Sequence, residues 1–75
     1  MKVYYTIMYR MQRHQAFFPL EGCGKMLLHE ATAMWQKITE QRQKSQAVRS
    51  ANYKLEMVTE DPFKSAPERV VVSEL

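Results

Sequence analysis

The stretch Leu27-Leu28-His29-Glu30-Ala31-Thr32-Ala33-Met34-Trp35-Gln36-Lys37-Ile38-Thr39-Glu40-Gln41-Arg42-Gln43-Lys44 decides the fold. Its apolar residues Leu27, Leu28, Ala31, Met34, Trp35 and Ile38 recur at helical steps, which places them on one stripe. Good helix formers dominate from Ala31 to Gln43. Glu40 stands four residues before Lys44, the favourable order for an ion pair along a helix. Arg42 and Lys44 suit the negative end of the helix dipole. The spacing predicts a helix over 28–44, starting between Lys25 and Glu30 and packing through Leu28, Ala31, Met34, Trp35 and Ile38. Trp35, the lone tryptophan, reads as the core anchor of that stripe.

One amphipathic stripe needs a second layer, and both flanks supply strands. From Lys2 to Met11 the sequence alternates, with Val3, Tyr5, Ile7, Tyr9 and Met11 as the expected core face. Lys2, Tyr4, Thr6, Met8 and Arg10 share the other face. Gln12–Gln15 is polar and reads as a turn into Ala16–Phe18, a short returning strand or a hydrophobic plug, which Pro19 ends. Gly22-Cys23-Gly24 reads as a flexible loop. After Ile38 the stripe fades, so Arg42 to Ser50 reads as a solvated last turn followed by a linker. Asn52 to Thr59 alternates again, with Tyr53, Leu55 and Met57 on one side and Lys54, Glu56 and Val58 on the other. Residues 61–68 read as a loop and 69–75 as a C-terminal strand or tail around Val70-Val71-Val72. The expected fold class is α+β: a single small domain over 1–75, one amphipathic helix packed on a three- or four-stranded, mainly antiparallel sheet.

Seventy-five residues make one domain. A chain of this size buries only roughly 60% of its unfolded surface, so such scaffolds usually lean on disulfides, a metal or association. A single cysteine excludes an internal disulfide. No apolar run approaches the ~20 residues of a membrane-spanning helix. Arg10 and Arg13 break the N-terminal segment, so it does not read as a signal peptide. A lone cysteine without a targeting segment points to a reducing compartment, and the expected location is cytoplasmic, away from membranes.

Charge is uneven. Residues 1–54 carry nine basic and three acidic side chains, a net +6, and residues 55–75 carry two basic and five acidic, a net −3. A basic body with an acidic tail either folds back on itself or faces an anionic partner.

Candidate chemistry is thin. Gly22-Cys23-Gly24-Lys25 superficially resembles a phosphate-binding loop, but Pro19 stands where that loop needs its first glycine. Met26 stands where it needs a serine or threonine. A hinge into the helix is the plainer reading. His14, Cys23 and His29, with Glu21 or Glu30, are the only candidate zinc ligands, and their spacing matches no common zinc pattern. No metal and no cofactor are expected. Cys23, between two glycines, reads as an accessible loop thiol. Thr6, Ser45, Ser50, Ser65 and Ser73 stand in no nucleophile-and-base setting, and Glu60-Asp61-Pro62 reads as a turn, so no enzyme activity is expected.

The outer strand face is the most informative surface. Tyr4 and Met8 beside Arg10 combine residue types found at protein interfaces. The expected function is a small non-catalytic protein-binding module: an inhibitor, adaptor or regulator, of the compact cysteine-poor kind common among bacterial and phage accessory proteins. It would act through the outer strand face and a sheet edge. The expected partner-binding residues are Tyr4, Met8 and Arg10, with Lys37 and Lys44 on the polar helix face. The expected partner is a protein, a second copy of the chain included. The alternative is a nucleic-acid-binding module using the basic first two-thirds, with bases on an aromatic and phosphates on the cations.

Overall fold

In the computed structural model, which covers residues 1–75, the alternating N-terminal segment forms strand β1 (Lys2–Arg10). It pairs along its whole length with β3 (Asn52–Glu60), from Lys2 opposite Glu60 to Arg10 opposite Asn52. A short β2 (Phe18–Pro19) returns along β1, and β4 (Glu68–Glu74) lies on the far side of β3. The sheet is antiparallel throughout, in the order β2-β1-β3-β4. One long helix, α1 (Leu28–Lys44), packs on it. The fold is the expected α+β domain.

The turn between β1 and β2 is the expected one, with the Gln15 amide donating to the Gln12 carbonyl at 3.0 Å. Pro19 lies inside β2 rather than just after it, which an outermost strand tolerates because no further strand needs its missing N–H. Beyond Pro19 the chain keeps to β1. Leu20 donates to Ile7, Ile7 donates to Cys23, and Tyr5 and Met26 exchange two bonds of 2.9 Å. The segment expected to be a flexible loop is therefore tied to a strand edge. Gly22 makes the bend with a φ of +78°, a conformation that favours glycine.

The expected linker after α1 is a second helix, α2 (Gln46–Ser50). Ser45 ends one helix and starts the other: its amide donates to Gln41 and its hydroxyl accepts from the Val48 amide. Arg49 folds back to donate to the carbonyls of Arg42 and Gln43, which the end of α1 leaves free. The hinge is thus a capped turn, and Val48 joins the core rim.

Ile7, Cys23, Met26, Ala31, Ile38 and Leu55 form the buried core, and Met34, Trp35, Tyr5 and Tyr53 pack at its rim. Of the expected core positions, Leu28, Val3, Met11 and Tyr9 are not in it. Leu28 is 58% exposed and Val3 is 50% exposed. Met11 lies beyond β1 and is also exposed. The reason is placement. α1 packs chiefly over β1, around Ile7, so the first helical turn and the Val3 end of the sheet project past the contact.

Candidate functional site

The sheet face away from α1 carries the candidate site. Strand alternation puts Tyr4, Thr6, Met8 and Arg10 on it, and the register sets them against Val58, Glu56, Lys54 and Asn52. β4 adds Arg69 beside Val58, Val71 beside Glu56 and Glu74 beside Lys54.

No helix covers this face, yet Thr6, Glu56 and Val58 are buried in it. Side chains lying across the strands do the covering. The Tyr4 hydroxyl donates to Glu60 at 3.1 Å, and Lys25 stands 3.9 Å from the same carboxylate and 5.2 Å from the Tyr4 ring centre. Arg69 donates to Glu56 at 3.2 Å, with Lys54 at 3.5 Å on the other carboxylate oxygen. The Thr6 hydroxyl donates to the Gly24 carbonyl at 2.6 Å. This end of the face is closed by its own polar contacts. Burial, the Glu60 hydrogen bond and the Glu60 charge push the Tyr4 phenol above its ordinary range, and Arg69 partly offsets them.

The other end is open. Arg10 donates to Asn52 at 3.2 Å, and its guanidinium lies 4.4 Å from the centre of the Phe17 ring. The Lys54 ammonium lies 4.2 Å from the same ring centre. Arg10, Phe17, Asn52, Lys54 and Glu74 line a cavity of about 150 Å³ there. That is below the ~300 Å³ at which small-molecule pockets begin, so it suits a single side chain. Arg10 takes part in none of the chain's ion pairs.

Tyr4, Met8 and Arg10 share one face, as the alternation predicts, and all three are half-buried. Lys37 and Lys44 are exposed, but α1 packs on the opposite face, so the structure does not bring them to the other three. Phe17 and Lys54 are the residues that sequence reading passed over. Lys54 was legible as the outward neighbour of Glu56 in β3. Phe17 stood in the expected returning segment, but only the register that sets Phe18 opposite Tyr9 brings it over Arg10.

The candidate metal ligands do not meet. His14 and His29 are exposed on separate elements, and no three His, Cys, Asp or Glu side chains converge on a common point. Cys23, expected to be accessible, is 1% exposed in the core, and burial pushes its thiol pKa up. No helix is long and apolar enough to cross a membrane. The sequence matches no protein-family model, no curated protein and no solved structure.

Proposed function

We propose that the chain is a small non-catalytic protein-binding module, an inhibitor, adaptor or regulator, that docks through its outer sheet face. The observation that carries this reading is the convergence of Arg10 and Lys54 on the Phe17 ring at the open end of the face. An arginine and an aromatic are enriched at interface centres, and Met8 beside them is of the same kind. Arg10 has a neutral partner only, so its charge is free to meet a carboxylate. The net +6 of residues 1–54 favours an acidic partner surface.

Nucleic acid is the second reading, supported by the same basic body and by an aromatic among cations. It is the weaker one. Two cations within 4.4 Å of its centre leave the Phe17 ring little free face for a base.

Affinity capture from the source cell with wild type and Arg10→Glu in parallel tests the proposal, with both proteins first shown to melt alike. A protein retained by wild type and lost by the variant supports it. A single-stranded oligonucleotide retained at low salt, released steeply as salt rises and lost in the variant would move the function to nucleic acid.

A further inference from the structure

The two edges of the sheet differ. Outside β1, β2 and the segment 20–26 take up the backbone groups. Outside β4 there is no strand, and Val70, Val71 and Val72 along it are 53%, 44% and 53% exposed. Folded proteins usually cover, shorten or charge such an edge because it templates pairing with another chain.

Surface area points the same way. The chain exposes 5495 Å², where a monomer of 8.9 kDa is expected to expose about 4,800 Å². The excess of roughly 700 Å² is close to the ~800 Å² that each partner loses in a standard interface. The radius of gyration is 13.0 Å, against about 11 Å for a compact chain of this length. The molecule is a slab of 43 × 29 × 18 Å whose helix covers mainly the β1 side. On the helix side of the sheet, Val3 and Val70 are left exposed, with the half-buried Met57 between them.

The ladder fixes which groups of β4 are free. Tyr5 turns its N–H and C=O to Met26, away from β3. Met57 opposite it therefore turns its own groups toward β4, where it faces Val70. Arg69 and Val71, on either side of Val70, point theirs outward. At the other end Leu75 exchanges both bonds with Tyr53, so Glu74 beside it also points outward. The register shift at Leu55/Glu56 leaves Val72 as an extra residue. In an unbroken strand Arg69 and Glu74, five apart, would face opposite sides. The extra residue puts both on the outer face, beside Val58 and Lys54.

We infer that a second copy of this chain pairs antiparallel along β4, with Arg69 of each copy opposite the partner's Glu74. The two sheets join as one, with both α1 helices on the same face and the uncovered half-faces side by side between them. The pairing is self-complementary: the two-fold axis passes between Val71 and Val72 and generates the Arg69–Glu74 contact twice. Sliding the strands by one residue sets Arg69 against Ser73, which faces the other side. Glu74 takes part in no ion pair within the chain, while Arg69 spends one nitrogen on Glu56 and keeps an exposed guanidinium with further donors. This match of charge, side and free backbone groups selects a second copy over an unrelated strand.

Sedimentation equilibrium at tens of micromolar chain is the test, with an expected mass of about twice 8.9 kDa. Glu74→Arg sets like charges opposite each other twice, and is expected to raise the dimer dissociation constant about tenfold or more. Val71→Pro removes an outward N–H and leaves the β3 side intact, so it should give a folded monomer by circular dichroism. Arg10→Glu, aimed at the outer face, should leave the dimer unchanged, so the dimer and the docking proposal fail separately. A wild-type chain that stays monomeric over this range overturns the inference. So do folded Glu74→Arg and Val71→Pro chains that dimerise as tightly as wild type.

Discussion

Arg69 donates to Glu56 at 3.2 Å, and this contact lets a carboxylate lie in the sheet at 5% exposure. Lys54 meets the second oxygen at 3.5 Å. The group thus has two cations, one from its own strand and one from β4. Removing one member of a buried charged set costs more than the set is worth, because its partners stay desolvated. Glu56→Gln keeps the shape and deletes the charge. It is expected to lower unfolding stability by about 1–3 kcal/mol in urea titration. An unchanged midpoint at unchanged slope would show that the cations, not the carboxylate, hold this part of the face.

Leu27 precedes α1 at the N-cap position, where it has no oxygen to offer the free amides of the first turn. Glu30 supplies the other half of the arrangement by accepting from the Leu27 amide at 2.9 Å. Leu27→Thr would complete a capping box at an exposed site and lose little packing. The expected gain is about 0.5–2 kcal/mol, read as a higher melting temperature by circular dichroism. A lower melting temperature would show that the Leu27 side chain itself is needed for packing or association.

The features that were legible in the sequence are those set by local periodicity. Ala31 and Ile38 fall on a helical stripe, and Tyr4, Met8 and Arg10 fall on one strand face, whatever the rest of the chain does. The features that were not legible depend on where layers sit. Nothing local says that α1 lies toward β1, which is why Leu28 and Val3 were expected in the core. Trp35 packs at the rim of that core instead of filling its centre. The α2 turn is too short to show a stripe, although Ser45 three residues before Val48 was a capping signal. Cys23 between glycines looked mobile because its tether is a set of backbone bonds, its own with Ile7 and Leu20 and those of Met26 with Tyr5, which no side-chain pattern records.

The position of Cys23 makes it a reporter of opening. Its thiol is buried beside Ile7 and Met26 in the core cluster, and burial raises its pKa, so little thiolate is available and little can be reached. An aromatic disulfide reagent is expected to label native protein about a hundredfold or more slowly than urea-unfolded protein. The segment 20–26 holds to β1 by only a few backbone bonds, so labelling should proceed through local release of that segment. Its rate would then be less sensitive to Glu56→Gln than global unfolding is. Equal labelling rates in the folded and unfolded states would place the thiol at the surface.

Stability at high pH tests the closed end of the outer face. Burial, the hydrogen bond to Glu60 and the Glu60 charge raise the Tyr4 phenol above its ordinary value near 10, against a smaller lowering by Arg69. Burial and Tyr9 likewise raise Tyr53, partly offset by Arg42. Below the unfolded value both states keep these protons and stability does not change with pH on their account. Above it the unfolded chain releases them first and binds fewer protons than the native one, so stability falls as pH rises and levels off only beyond the raised native values. Wild type should therefore lose melting temperature between about pH 9 and 11. Tyr4→Phe gives up the hydrogen bond to Glu60 and is expected to melt lower than wild type at neutral pH. Across the alkaline range, however, its loss should be smaller, because one of the two raised phenols is gone. The two proteins differ only in the Tyr4 hydroxyl, so the difference between the two curves isolates Tyr4. Parallel curves would mean that the Tyr4 hydroxyl is in water and that Glu60 does not hold it.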